Sequence, residues 1–137
     1  MLGRSLWKTG IRMFADVTTK FYGVRTNNMG EPQQFIDKLI SSNKVVLFLK
    51  GSPENPHGGF SKAILQTLKD YKVKSCQFVN VLDDDVIREE IKKFSEWPTF
   101  PQLFLNKELV GGHDLIMEMH NKGTLQAVFD KHKVTED

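Results

Sequence analysis

A continuous apolar run, Val45-Val46-Leu47-Phe48-Leu49, is the feature that most constrains the fold of this chain. A run of five apolar residues rich in β-branched side chains is typical of a strand that is covered on both faces. Such strands occur in the middle of parallel or mixed sheets with helices on each side. The run therefore predicts an α/β protein.

The flanking patterns predict the other elements of that α/β fold. Apolar residues with helical spacing predict a helix that begins at Pro32 and ends near Ser41, and three further helices over 60–71, 85–95 and from His113 onward. We expect the helix over 85–95 to bury Val86, Ile87, Ile91 and Phe94. Strands are predicted at 76–82, 102–106 and 108–110, and a final helix at 125–133. The order α-β-α-β-α-β-β-α-α implies a four-stranded mixed sheet with a parallel crossover and a terminal antiparallel hairpin.

Length and composition exclude several classes of protein. With 137 residues the chain is long enough to bury the core of one domain. A single cysteine, Cys76, excludes an internal disulfide framework and a zinc site built from several thiolates of one chain. No run approaches the roughly 18 apolar residues of a membrane-spanning helix, so we expect no membrane partner.

The basic charge is concentrated at the N-terminus. Residues 1–30 carry five Lys and Arg residues and one Asp, a net charge of +4, so the rest of the chain carries −2 of the total of +2. An excess confined to one end does not suit a folded body that binds nucleic acid. On a helix, Arg4, Lys8 and Arg12 would form one basic stripe opposite apolar side chains. This pattern predicts a mitochondrial transit peptide and linker over 1–30, and a matrix location; a disordered basic tail or an amphipathic surface helix are the alternatives.

Three motifs resemble those of the monothiol glutaredoxin family. The segment KGSPENPHGGFS at 50–61 is similar to its active-site loop, WPTFPQ at 97–102 to a second element, and GGHD at 111–114 to a third. The resemblance covers about residues 31–133 and is strongest for the mitochondrial single-domain members. It implies a thioredoxin-like fold for a domain over 31–137.

The resemblance also implies a glutathione site and its residues. In the family the counterparts of Lys50 and Arg88 bind the glycine carboxylate of glutathione, which suits a lysine and a guanidinium. Phe100 precedes Pro101 at a bond that is cis in the family, and its backbone pairs with the cysteinyl unit. His113 and Asp114 would receive the γ-glutamyl end.

The chain departs from the family at the position of its cysteine, where it has Gly58. In the family this thiolate is the nucleophile, and two of them join two glutathione thiols to hold a 2Fe–2S cluster between two subunits. A glycine can do neither, so the sequence offers no catalytic residue and no metal ligand at this position. Three other residues could be asked to replace the missing thiol. His57 is adjacent to Gly58, so its side chain is expected to point away from the position of the family cysteine. Ser61 is a weak ligand that suits the helix start, and Cys76 is predicted to be a buried strand residue.

Two functions of different classes remain open at this stage. The first is a mitochondrial protein of iron–sulfur cluster assembly and transfer, with glutathione, scaffold and recipient proteins as partners and a homodimer when a cluster is bound. The second is a thiol-less glutathione-binding or adaptor module without redox chemistry or a cluster. We expect no thiol oxidoreductase activity from the chain as it stands. If Gly58 were an artificial substitution or a sequence error, the natural protein would fall under the first hypothesis.

Overall fold

The computed structural model of the protein describes residues 19–24 and 30–136. Within them the chain forms five strands and five helices. The strands are β1 (Lys20–Gly23), β2 (Val45–Leu49), β3 (Ser75–Asn80), β4 (Gln102–Leu105) and β5 (Glu108–Gly111). The helices are α1 (Pro32–Ser42), α2 (Gly59–Asp70), α3 (Asp85–Ser95), α4 (His113–Lys122) and α5 (Leu125–His132). None of the helices in these two ranges combines the length and the apolar character needed to cross a membrane.

The five strands form one mixed sheet in the order β1-β3-β2-β4-β5. β2 and β3 are parallel, whereas β4 is antiparallel to both β2 and β5. The predicted parallel crossover and terminal hairpin are therefore confirmed. Asn106 and Lys107 form the hairpin turn with φ values of 48° and 75°. Two positive φ values in a two-residue turn match the right-handed twist of the strands that it joins.

The sheet has five strands rather than the four that the sequence predicted. The added strand, β1, lies at the edge and pairs in parallel with β3, from Lys20 opposite Ser75 to Gly23 opposite Phe78. It falls inside the segment that the sequence analysis assigned to a leader and linker. Four residues without a clear alternation carry too little periodic signal to predict a strand. The rest of that assignment, at 1–18 and 25–29, lies outside the described residues.

The central strand β2 divides the core into two layers. All five of its residues are buried, as predicted. Val45, Leu47 and Leu49 pack with residues of α2, α4 and α5, whereas Val46 and Phe48 pack with residues of α1 and α3. This alternation is the period-two geometry of a strand with helices on both faces. The carboxyl end of β2 therefore opens between the two helix layers.

Helix α3 begins as predicted but buries fewer residues. The Asp84 Oδ1 atom accepts hydrogen bonds from the backbone N–H groups of Val86 and Ile87, at 2.9 and 3.1 Å, and so caps the helix. Ile87 and Ile91 are fully buried and Phe94 packs against the same cluster. The prediction for Val86 was wrong, because its side chain is 51% exposed. At the first turn of α3, Val86 faces away from the sheet.

Candidate functional site

The loop that follows β2 folds back on itself. The backbone N–H of His57 donates to the Lys50 carbonyl over 3.0 Å, and Ser52 and Asn55 exchange backbone hydrogen bonds of 3.1 and 3.2 Å inside the loop. Gly51 has a φ of 96°, and a Cβ atom there would lie 2.5 Å from the Asn55 carbonyl oxygen. Only glycine fits this approach. The closed loop brings the chain from Lys50 to the start of α2 within a few residues.

Gly58 is the N-cap of α2 and has a φ of 87°. It offers no side chain to cap the helix, so the first N–H groups of α2 have no side-chain acceptor from this residue. A Cβ atom at Gly58 would have no other atom within 4 Å among the described residues. The position of the family cysteine is thus an open space beside a helix N-terminus, with a backbone conformation that favours glycine.

Asn80, the last residue of β3, connects two loops at this edge of the sheet. Its Oδ1 atom accepts hydrogen bonds from the backbone N–H groups of Gly51, at 2.9 Å, and Leu82, at 3.0 Å. Gly51 follows Lys50 directly, and both Lys50 and Leu82 line the cavity described next. One amide side chain therefore sets the relative positions of two walls of that cavity.

A cavity of about 410 Å³ at the carboxyl end of β2 is lined by three basic side chains, Lys50, Arg88 and Lys92. The Arg88 Nη2 atom lies 2.9 Å from Asp85 Oδ1, and the Lys92 Nζ atom lies 3.2 Å from Glu89 Oε2. Lys50 has no ion pair within residues 19–24 and 30–136. This end of the site is suited to an anionic group, and Lys50 is its unneutralised cation.

A second cavity, of about 420 Å³, lies at the start of α4. His113, Asp114 and Glu118 line it. The His113 Nδ1 atom lies 2.9 Å from Asp114 Oδ1. The N-cap of α4 is Gly112, and a Cβ atom there would lie 3.0 Å from Trp97 Nε1, so Trp97 packs directly on this turn. Helix N–H groups beside two carboxylates form a place for a group that is both anionic and cationic.

The two cavities adjoin and form one groove. Phe60, Thr99 and Phe100 line both. The Phe60 ring stacks on the His113 ring with centroids 4.4 Å apart and an angle of 26° between their planes. The Phe100–Pro101 peptide bond is cis, as the family resemblance implies. A basic end, an aromatic centre and an acidic end thus follow one another along the surface.

The buried side chain of Gln102 holds the loop that forms one wall of the groove. Its Nε2 atom donates to the Trp97 carbonyl over 2.8 Å and to the Thr99 carbonyl over 3.1 Å. Gln102 is completely buried at the start of β4. A buried amide whose donors are both used fixes the loop more firmly than exposed contacts would.

All five residues predicted to bind glutathione line this groove: Lys50, Arg88, Phe100, His113 and Asp114. Other lining and supporting residues were not predicted from the sequence: Phe60, Asn80, Lys92, Trp97, Thr99 and Glu118. Lys92 lies four residues after Arg88 on one helix face, and that spacing could have revealed it. The exposure of Phe60 and the bridging role of Asn80 depend on contacts between segments that are distant in the chain.

The Cys76 thiol and the His57 imidazole do not form a second reactive centre. Cys76 is buried at the start of β3, and this burial raises the pKa of its thiol far above the usual range, although a hydrogen bond with the Leu47 backbone lowers it slightly. The His57 ring packs over Gly51. The described residues contain no group of three or more His, Cys, Asp or Glu side chains suited to a metal ion. The residues present therefore do not fit the cluster ligation that the family resemblance implies.

Comparison with known proteins identifies the same family along the chain. The sequence profile of the glutaredoxin family matches residues 45–110. Monothiol glutaredoxin-5, mitochondrial, of Lachancea kluyveri is 48% identical over 102 residues, which cover 73% of this chain and 71% of that protein. Glutaredoxin-related protein 5, mitochondrial, of Danio rerio is 45% identical over 93 residues, or 68% of this chain and 60% of that protein. The chain spans only 20% of the rice monothiol glutaredoxin-S11, at 44% identity.

The fold is that of solved structures of similar sequence. The solution structure of a monomeric truncated mutant of Trypanosoma brucei 1-C-Grx1 superimposes with a TM-score of 0.67 at 38% identity. The match covers 75% of this chain and 93% of that chain. The thioredoxin-like class that the family resemblance implied is therefore confirmed.

Proposed function

The chain belongs to the monothiol glutaredoxin family, and from that premise we propose that it is a glutathione-binding module without thiol chemistry of its own. The observation that carries the proposal is a groove that is basic at Lys50 and acidic at Asp114, with Gly58 where the family has its sulfur. Such a site binds a charged thiol peptide and leaves its sulfur chemically unchanged.

The charges along the groove match those of glutathione from end to end. The glycine carboxylate pairs with Lys50 and Arg88 at the basic end, where a guanidinium can bind both oxygens. The γ-glutamyl unit has a carboxylate for the N–H groups at the start of α4 and an ammonium group for Asp114. The central cysteinyl unit then lies along the Phe100 backbone, as a short added strand.

The same residues explain why we expect no oxidoreductase activity. Thiol–disulfide exchange requires a thiolate that attacks a sulfur atom of the disulfide, and that atom becomes bonded to the attacking sulfur while the other leaves as thiolate. Gly58 supplies no such atom. Cys76 is buried and does not line the groove, and the raised pKa of its thiol keeps it protonated.

A titration of the protein with reduced glutathione, followed by NMR or calorimetry, tests the proposal. Lys50→Ala should weaken binding about tenfold or more, because a charge-assisted hydrogen bond contributes about 1.5–3 kcal/mol. Lys131→Ala is the matched control, since Lys131 is an exposed lysine of α5 that does not line the groove. An equal effect of both substitutions, or no binding by the unaltered protein, would refute the glutathione site.

Iron–sulfur cluster assembly and transfer is the second candidate, favoured by the complete glutathione groove. In the family, glutathione thiols supply half of the cluster ligands, and this half of the site is retained. With iron, sulfide and glutathione we nevertheless expect the unaltered chain to give neither the visible absorbance of a 2Fe–2S cluster nor a dimer. Gly58→Cys should restore both, and Gly58→Ser should not, because an alcohol is a weak ligand. Cluster binding by the unaltered chain would overturn the thiol-less assignment and favour this candidate.

The Gly58→Cys substitution is expected to strain the backbone at this position. Gly58 has a φ of 87°, a backbone conformation that residues other than glycine adopt only under strain. Space for the new side chain is open, so the cost is confined to the backbone, on the order of 1–3 kcal/mol. The thermal midpoints of the Cys and Ser variants should therefore fall together, and only the Cys variant should gain a cluster.

A mitochondrial matrix location completes the proposal. It is supported by the basic, amphipathic pattern of the first thirty residues and by relatives named as mitochondrial. Residues 1–30 fused to a fluorescent protein should direct it to mitochondria, whereas the Arg4→Glu, Lys8→Glu double variant should leave it in the cytosol. Scaffold and recipient proteins of the iron–sulfur pathway are the partners that we expect there.

A further inference from the structure

Large apolar side chains are exposed along the groove. Phe60 is 59% exposed at its centre, and Leu82 and Leu115 are each 39% exposed on its two cavities. Glutathione itself is polar and charged at both ends, so its recognition does not require this apolar surface. Exposed apolar surface that surrounds a binding site indicates that part of the bound molecule is apolar.

The centre of the groove also has open space beside the position where the sulfur of glutathione would lie, so that sulfur could carry a substituent. This step rests on the glutathione orientation proposed above, in which the two charged ends lie at Lys50 and Asp114 and the cysteinyl unit lies between them. The N-terminus of α2 faces this centre through Phe60. At Gly58 a Cβ atom would meet no described atom within 4 Å, so the space that a family cysteine would occupy is open.

We propose that the groove binds S-substituted glutathione, a thioether conjugate with an apolar substituent, without reacting with it. The substituent extends from the sulfur through the open space at Gly58 and packs on the exposed face of Phe60. The thioether bond remains intact, because Gly58 provides no nucleophile. The missing cysteine thus changes the ligand class of the site rather than simply inactivating it.

Calorimetric titration of the full chain with glutathione, S-methylglutathione and S-hexylglutathione tests this inference. S-hexylglutathione should bind about tenfold more tightly than glutathione, which corresponds to ~1.4 kcal/mol, and S-methylglutathione should lie between them. Phe60→Ser should bring the ratio of the hexyl to the unsubstituted affinity close to one. Tyr22→Ser is the matched control, because Tyr22 is an aromatic residue of β1 that is 53% exposed and does not line the groove.

Two further variants separate this inference from the glutathione site itself. Lys50→Ala should weaken glutathione and S-hexylglutathione by the same factor if both occupy the groove. Gly58→Ser should lower the preference for the hexyl compound, since its side chain enters the open space. Phe60→Ser tests the same preference without altering the backbone at Gly58.

The possible outcomes lead to different conclusions. If glutathione binds but S-hexylglutathione binds equally or more weakly, the inference is wrong and the glutathione site stands; a protein partner would then be the better occupant of the apolar surface. If neither compound binds, both proposals are wrong. If S-hexylglutathione binds tightly but neither Lys50→Ala nor Phe60→Ser weakens it, the hexyl chain binds non-specifically and the inference is again wrong.

Discussion

The Asn80 side-chain oxygen accepts a hydrogen bond of 2.9 Å from the backbone N–H of Gly51, and so ties the end of β3 to the loop that follows β2. The same oxygen accepts a second hydrogen bond from Leu82. Through these two bonds a residue that contacts no part of the proposed ligand sets the positions of Lys50 and of the start of α3. The shape of the basic end of the groove therefore depends on the relative position of the loops that follow β2 and β3.

Replacing Asn80 by Ala should weaken glutathione binding and destabilise the fold. Loss of two hydrogen bonds should lower the free energy of unfolding by about 1–3 kcal/mol. Glutathione affinity should fall about fivefold or less, because the cations remain present but are less well positioned. Chemical unfolding and NMR titration measure the two effects. Asn121→Ala, in an exposed position of α4, should change neither, and a similar loss in that variant would contradict the role of Asn80.

Replacing Gln102 by Leu should loosen the wall formed by Trp97 and Thr99. The substitution retains most of the volume but leaves two carbonyl groups without their donor, at a cost of about 1–3 kcal/mol. We expect a lower thermal midpoint and a shifted indole N–H resonance of Trp97. Gln126→Leu is the control, since the Gln126 side chain bonds to Asp130 on the exposed surface of α5. An unchanged Trp97 resonance in the Gln102 variant would show that the loop is held by other contacts.

Stability should decrease at alkaline pH because of Cys76. Burial raises the pKa of this thiol in the folded protein, whereas in the unfolded chain it titrates near its ordinary value of about 8.5. Above that pH the unfolded state loses a proton that the folded state keeps, so the free energy of unfolding falls by up to ~1.4 kcal/mol per pH unit. Below about pH 8.5 the contribution is constant.

Urea unfolding between about pH 7.5 and pH 9.5 checks this expectation against Cys76→Ala, which lacks the titrating group. The unaltered protein should show the steeper decline. Its thiol should also resist an aromatic disulfide reagent until denaturant is added. Equal slopes in the two proteins, or rapid labelling of the native protein, would show that Cys76 is accessible.

Removing β1 should destabilise the domain. Thr19 is buried and its Oγ1 atom donates to the Leu68 carbonyl, and Phe21 packs against the core cluster of α2, α4 and α5. Deletion of residues 1–24 should cost about 2–4 kcal/mol in lost hydrogen bonds and apolar burial. Deletion of residues 1–18 keeps the strand and serves as the control. Equal thermal midpoints for the two proteins would show that β1 contributes nothing. Because Thr19 and β1 pack on the folded domain, we expect any leader to be cleaved before Thr19.

Local patterns in the sequence were sufficient for most of the elements, and the family resemblance was sufficient for five of the residues that line the groove. The run at 45–49 predicted the central strand because five apolar side chains can be satisfied only with cover on both faces. The helical spacing of apolar residues predicted α3 over 85–95 because that periodicity arises from interactions between near neighbours. Lys50, Phe100, His113 and Asp114 were predicted from the three motifs and Arg88 from the family resemblance alone, and the structure brings all five to one groove.

By itself the sequence determined the order of helices and the central strands and the absence of a sulfur donor at Gly58, since these follow from residue identity and from interactions between near neighbours. The tertiary structure alone decided that β1 joins the sheet, that Asn80 and Gln102 hold the walls of the groove, and that Phe60 is exposed at its centre. These features depend on contacts between segments far apart in the chain, whose free energy is gained only when the whole domain has folded.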